Sequence, residues 1–175
     1  GELLGRCPRL ANLTELNLSQ NASLGDGILA LLKDISTHRA RFSGMNFPPE
    51  TLFEAGQIAN PRNLAEVELD QDVDVFALGR SIAATRRDPS LLFDVDVVNP
   101  ATLELLQQCP ERARLSRLVI HFTDDQTERI LTALEQLDGL DRLVEMYLVG
   151  PADSSVMRRI VGLAWFRRLT RLRLV

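Results

Sequence analysis

Apolar residues recur along this chain in a short pattern whose first, fourth and sixth positions are aliphatic or aromatic. The clearest copy is Leu13, Leu16 and Leu18, followed by Asn21. Polar residues alternate with the last apolar positions, as in a strand that buries one face. Later copies, with starts 22 to 29 residues apart, are Phe42/Met45/Phe47, Leu64/Val67/Leu69, Leu92/Val95/Val97, Leu115/Leu118/Ile120, Leu143/Met146/Leu148 and Leu169/Leu172/Leu174.

Helical signals fill the intervals between these copies. Pro49 and Pro100 each open an apolar stretch, and proline is tolerated in the first turn of a helix. Thr123 with Gln126 resembles a capping box, and Asp153 or a serine after it caps another predicted helix. A strand and a returning helix within each interval predict a parallel sheet on one side and helices on the other. No such unit can bury its apolar face alone, so the units must stack.

The repeated pattern resembles the leucine-rich repeat family over essentially the whole chain. The first copy matches the family's strand signature, including the ladder position at Asn21, whose side chain we expect to be buried in backbone hydrogen bonds. The later copies lack that asparagine, so the repeats are divergent. The resemblance implies an α/β fold, a right-handed solenoid of about seven strands, with a concave parallel sheet and convex helices. We expect one domain over residues 1–175, as an excerpt of a longer array or chain.

Two cysteine–proline pairs add a narrower resemblance. Cys7 and Cys109 each precede a proline and stand just ahead of a strand copy. This resembles the cysteine-containing, ribonuclease-inhibitor-like repeats found in F-box type substrate receptors of ubiquitin ligases. The alternative is that each cysteine is a small buried residue that ends a helix.

Composition narrows the range of partners and compartments. The formal net charge of −4 argues against nucleic acid as the main partner. No apolar run is long enough to span a membrane. Two distant cysteines cannot build the end caps of secreted arrays, which favours a reducing compartment. We therefore expect an intracellular, cytoplasmic protein with no membrane partner.

The residues between the core leucines should point into the concavity, because strand side chains alternate. They form an acidic zone, an apolar and aromatic zone that also includes Phe122 and Val149, and a basic end at Arg171 and Arg173. An acidic field beside an apolar patch suits a protein partner with a basic segment and an apolar anchor. The predicted partner-binding residues are Glu66, Glu68, Asp70, Asp94, Asp96, Val119, His121 and Tyr147. Charged residues on a solvated sheet face are also the ordinary case, so the acidic zone alone does not prove a site.

Patterns for catalysis and metal binding are weak in this sequence. Asp70, Asp72 and Asp74 match the first ligands of a calcium loop, but Val75 replaces its glycine. The histidines, His38 and His121, lie in different repeats. We expect no enzyme activity, no metal, no cofactor and no small-molecule substrate.

The sequence therefore predicts a non-catalytic module that binds a protein on its concave sheet. The main alternative is a scaffold or assembly subunit that uses its ends or convex helices, where a basic tip could meet an acidic protein or RNA. A further alternative is the substrate-recognition part of an F-box-like ubiquitin ligase. The residues of the basic tip are Arg158, Arg159, Arg167 and Arg168.

Overall fold

The structure, a computed structural model, describes residues 14–21, 27–34, 38–59, 66–69 and 72–175. Strands and helices alternate along these residues. The strands are β1 (Glu15–Asn17), β2 (Arg39–Arg41), β3 (Glu66–Glu68), β4 (Phe93–Val97), β5 (Leu115–His121), β6 (Glu145–Val149) and β7 (Arg171–Leu174). The helices are α1 (Gly27–Asp34), α2 (Pro49–Ile58), α3 (Val73–Arg87), α4 (Pro100–Gln108), α5 (Thr127–Gln136) and α6 (Ser154–Val161), with 3-10 segments at Pro110–Arg114 and Phe166–Arg168.

All strand pairs in the described residues are parallel, which confirms the predicted α/β class and the seven strands. The sequence predicted one sheet, but the strands form a three-stranded sheet, β1-β2-β3, and a four-stranded sheet, β4-β5-β6-β7. The chain correspondingly divides into two compact units, Gly1–Arg80 and Ser81–Val175. Each sheet keeps its strands in chain order, as expected when every strand is followed by a returning helix.

In the first unit, the second strand lies earlier in the chain than the sequence pattern predicted. Leu16 aligns with Ala40, and Ala40 aligns with Val67. The predicted strand Phe42/Met45/Phe47 is therefore wrong. Ala40 and Phe42 are the buried positions that alternate with the arginines of β2, whereas Met45 and Phe47 are buried in the turn that leads into α2.

Helices α2 and α3 pack through a pair of glycines. A Cβ atom built on Gly56 would lie 2.2 Å from the carbonyl oxygen of Phe76, and one on Gly79 would lie 2.2 Å from that of Phe53. The two helix backbones thus lie so close together that no side chain would fit at either glycine.

The second unit contains the more regular repeats. In β4, β5 and β6 the inward positions are buried, among them Val95, Leu118 and Met146, which are paired across the strands. The fourth copy starts one residue later than predicted, because Phe93 pairs with Leu115 and is buried while Leu92 is 56% exposed. The buried residues of α4, α5 and α6 that complete the core are Leu103, Leu106, Ile130, Leu131, Leu134, Val156 and Ile160.

Helix starts follow the proline and aspartate signals but not the proposed capping box. Asn99 accepts from the N–H of Ala101 at the start of α4, and Asp153 caps α6. Helix α5 begins after Gln126, which makes no side-chain cap hydrogen bond, and Thr123 contributes only its backbone carbonyl. The capping box at this position is therefore wrong.

Helix α6 ends at Val161, although the apolar stretch of the sequence continues to Phe166. Past Val161 the chain turns and buries Trp165, whose indole N–H donates to the carbonyl oxygen of Leu137 at 2.9 Å. No helix in the described part of the chain is both long enough and apolar enough to cross a membrane.

Candidate functional site

Alternate residues of β4 to β7 point away from the buried side of the four-stranded sheet and form what we name the outward face. Its central row is formed by Asp96, Val119, Tyr147 and Arg173, which align across the four strands. This is the order that strand alternation predicted. The outward face comprises Asp94, Asp96, Arg117, Val119, His121, Glu145, Tyr147, Val149, Arg171 and Arg173.

A row of alternating charge runs beside this central row. Asp94 receives a hydrogen bond from Arg117 at 2.7 Å and another from the hydroxyl of Ser116 at 2.9 Å. On the next two strands, Arg171 donates to Glu145 at 2.5 Å. The opposite charges on neighbouring strands thus neutralise one another, whereas like charges in the same places would oppose the pairing of the strands.

Asp96 is also paired, in this case with a histidine. The Nε2 atom of His121 lies 2.7 Å from Oδ1 of Asp96, and both side chains are partly exposed. Both residues belong to the predicted site, and the structure brings them into direct contact. The contact makes Asp96 part of a pair and not part of a continuous acidic field.

Tyr147 lies in the middle of the outward face. Its ring lies beneath two guanidinium groups, with Cζ of Arg117 at 5.8 Å and Cζ of Arg173 at 5.4 Å from the ring centroid. Its hydroxyl donates to Glu145 at 3.1 Å. A cation over an aromatic face is electrostatically favourable, so the ring and both arginines hold each other in position.

Apolar side chains flank Tyr147 without joining the core. Val119 pairs with it on β5, and Val149 follows it on β6, aligned with His121. Both valines are only partly buried. Phe122 was grouped with them from the sequence, but it is 3% exposed and belongs to the core.

The remaining predicted acids lie on the three-stranded sheet. Arg39 bonds Glu66, and Nε of Arg41 lies 3.0 Å from a carboxylate oxygen of both Glu15 and Glu68. Hydrogen bonding to Glu66, reinforced by its charge, raises the pKa of Arg39. Asp70 lies outside the described residues.

The sequence pattern does not predict Arg39 and Arg41 on this sheet, because its second copy begins at Phe42. The alternation Arg39-Ala40-Arg41-Phe42 was the available signal, since a polar residue precedes each buried one. The predicted acidic field is corrected accordingly: every described member of the acidic zone has a cationic or histidine neighbour.

The basic tip on the helical side is partly neutralised. Arg159 donates to Glu128 and Glu135, each at 2.7 Å, and Arg168 lies 3.2 Å from Asp141. Hydrogen bonding to Arg159 lowers the pKa of Glu135. A groove of about 540 Å³ runs between the ends of α5 and α6 beside these residues.

Two arginines of the tip remain outside that network. Arg158 and Arg167 form no ion pair within the part of the chain that the structure describes. Arg158 lines the groove, while Arg167 lies in the 3-10 segment that follows it.

Cys109 ends helix α4 and is buried. Its thiol lies 3.3 Å from the carbonyl oxygen of Leu105, and burial raises its pKa. Cys7 lies outside the described residues. Asn21 donates to the carbonyl oxygens of Leu18 and Ser19 within its own turn, and its side chain is exposed, contrary to the predicted burial.

Within the described ranges, no group of three or more His, Cys, Asp or Glu side chains has an arrangement that could hold a metal ion. Neither a scan against protein-family models nor a search of curated proteins found a match for the chain.

Proposed function

We propose that this chain is a divergent leucine-rich repeat solenoid that binds a protein partner, without catalysis, on the concave side of its sheet. The sequence resemblance supports the family, and parallel strands alternating with helices are consistent with it. In this proposal the outward face is the concave surface. Cys109 is a buried free cysteine, which suits a reducing, cytoplasmic compartment.

One observation carries the choice of surface. Val119, Tyr147 and Val149 stand together on the side of the sheet that faces away from the core, within an otherwise charged face. Apolar and aromatic groups in such a place are not part of the core of this unit. Tyrosine beside arginine is also the composition that protein interfaces favour at their centres.

A second candidate is an assembly contact through the helical side. Arg158 and Arg167, which form no ion pair in the described residues, favour it, because an acidic partner would neutralise them. The F-box-like assignment rests on the cysteine–proline resemblance alone.

The experiment compares three purified chains as baits for proteins in a native extract. The face variant carries Tyr147→Ala and Val149→Ser, and the tip variant carries Arg158→Gln and Arg167→Gln. All four substituted positions are exposed or half-buried, so circular dichroism should show the same fold for each chain. A partner bound by the intact chain should be lost by the face variant and kept by the tip variant.

The reverse result would favour the helical contact. Partners bound equally by all three chains would reject both surfaces. Purified partner and bait should then be compared by biolayer interferometry, so that direct binding is separated from capture through a third protein.

A further inference from the structure

A histidine lies among apolar side chains on the outward face. Val149 aligns with His121 on β6, and Val119 precedes it by two residues on β5. The register of β4 and β5 places Val98, which is 49% exposed, on the other side of His121. The imidazole is therefore bordered by three valines that are not part of the core.

The contact with Asp96 determines where the neutral imidazole carries its hydrogen. Nε2 of His121 lies 2.7 Å from Oδ1 of Asp96. A carboxylate accepts hydrogen bonds, so Nε2 carries the hydrogen, and in the neutral ring Nδ1 is then an acceptor. Nδ1 has no hydrogen-bond partner among the described residues, and 35% of the side chain is exposed. The outward face thus offers an accessible acceptor between apolar side chains.

We propose that His121 determines which partner the outward face recognises, by accepting at Nδ1 a hydrogen bond from a side-chain N–H or O–H group in a short linear segment of a protein. Apolar side chains next to that donor pack on Val98, Val119 and Val149. This inference rests on the proposed function and specifies the chemistry of the partner.

The spacing of these side chains suits an extended segment. Neighbouring strands lie about 4.8 Å apart, and alternate residues of one strand lie about 6.6 Å apart. An extended segment advances about 3.3 Å per residue. A donor over His121 therefore has its neighbours within two residues over Val98, Val119 or Val149.

The nearest charge favours a donor over an acid at Nδ1. Asp96 contacts the same imidazole, so a partner carboxylate at His121 would approach a like charge. The other charged side chains on the outward positions of β4 to β6 and in the loop after β5 form no ion pair with His121 in the described residues. These side chains are Asp94, Arg117, Asp124, Asp125 and Glu145.

Recognition through Nδ1 gives binding a defined pH dependence. Histidine is the side chain that changes charge between about pH 5 and pH 8. Protonation places a hydrogen on Nδ1 and converts the acceptor into a donor, so a partner donor is no longer bound. Binding should therefore be strongest at the upper end of this range and should weaken as the pH falls.

The first test observes the position of the hydrogen directly. The chain has two histidines, so His38→Gln leaves His121 as the only imidazole signal. Nitrogen NMR spectra of this variant at about pH 8 should show a hydrogen on Nε2 and none on Nδ1. The preference should weaken when Asp96→Ala is added. A hydrogen on Nδ1 in the His38→Gln chain would overturn the inference.

The second test uses a displayed library of random peptides selected on the intact chain at about pH 7.5. Bound peptides should carry a side-chain donor within two residues of an aliphatic residue. His121→Ala should weaken them by about three- to tenfold, since one hydrogen bond is lost. His121→Asn keeps an acceptor near the position of Nδ1 and should retain most of the affinity. His38→Gln changes the other, exposed histidine and is the matched control, which should bind as the intact chain does.

Affinities measured from about pH 8 to about pH 5 separate this role from a purely structural one. Selected peptides without histidine, Asp or Glu are used, so that the peptide itself does not titrate. Binding to the intact chain and to His38→Gln should weaken as the pH falls, whereas binding to His121→Asn should change little. Circular dichroism should show the same fold at both ends of the range.

Other outcomes would overturn the inference. Peptides that lose affinity with Val119→Ser or Val149→Ser but ignore His121→Ala would reject the hydrogen bond and leave the proposed function standing. Peptides that ignore all three changes would reject the face as well. Affinity that rises as the pH falls would show that the protonated ring is recognised instead. If the folded chain selects no peptide, recognition of a linear segment is rejected, whatever folded partner the extract provides.

Discussion

Alanine at Gly79 should destabilise the chain, although alanine is the better helix former. Gly79 lies within α3, where the helix crosses α2. A Cβ atom at this position would lie 2.2 Å from the carbonyl oxygen of Phe53 and 3.1 Å from its carbon. Both are backbone atoms, which cannot rotate away as a side chain could.

The expected magnitude follows from two opposing contributions. Non-bonded atoms prefer separations of roughly 3.5 Å, so the helices must move apart by about 1 Å at the crossing. Overpacking of this kind costs about 1–3 kcal/mol, and the rigid contact at Gly79 places it toward the upper end. Replacing glycine in a helix returns about 0.5–1 kcal/mol. We expect a net loss of about 1–2 kcal/mol.

Urea unfolding followed by far-ultraviolet circular dichroism measures this loss. Ala77→Gly is the matched control, because Ala77 is exposed two residues earlier in α3. It removes helix propensity without relieving a contact and should lower stability by about 1 kcal/mol. If Gly79→Ala instead raises the unfolding midpoint, helix propensity dominates and the close crossing is refuted.

Three further changes probe other parts of the chain. Trp165→Phe removes the hydrogen bond to the carbonyl oxygen of Leu137 and leaves that buried oxygen unpaired. The free energy of unfolding, measured by urea denaturation, should therefore fall by about 1–3 kcal/mol. Hydrogen bonds from the first turn of α6 lower the pKa of Asp153. The contribution of this carboxylate to stability is therefore complete above about pH 4 and is lost as the pH falls through the lower folded pKa. The melting temperature of Asp153→Asn should depend less on pH in that acidic window, and an unchanged dependence would refute the cap's role. With Cys7→Ser to isolate it, buried Cys109 should react with a thiol reagent at neutral pH only when the chain unfolds, and fast reaction of the native chain would contradict its burial.

The fold class could be predicted from the sequence because two periodicities alternate along it. Val95 and Val97, predicted from strand alternation, are buried in the structure, and the helix predicted to open at Pro100 forms as α4. Proline at the starts of α2 and α4 gave their boundaries, since proline fits the first turn and breaks the turn before it. These are local effects, and local effects are readable from one sequence.

Register was harder to predict, because it depends on which strand lies alongside. Phe42, Met45 and Phe47 have the apolar spacing of a strand copy, and all are buried, but none lies in β2, which ends at Arg41 directly before Phe42. The buried strand position is Ala40, a small residue that an aliphatic pattern overlooks. Likewise Leu92 fits the pattern, yet the shift at Phe93 leaves it exposed.

The error in register hid the ion pairs of the acidic zone on the first sheet. With the second strand placed at Phe42, Met45 and Phe47, the strand next to Glu66 and Glu68 offers no basic residue to pair with them. Arg39 and Arg41 occupy that strand instead, and they pair with those glutamates.

The charges of outward residues on successive strands therefore do not indicate which partner binds there until the ion pairs between those strands are known. A carboxylate already held by an arginine on the next strand stabilises the sheet, and it loses an ion pair when it binds another cation. On the outward face this reasoning turns attention from Asp94 and Asp96, which are already paired, to Val119, Tyr147 and Val149. The consequence can be measured: Tyr147→Ala should weaken binding of a partner directly, whereas neutralising Asp94 should act mainly by freeing Arg117.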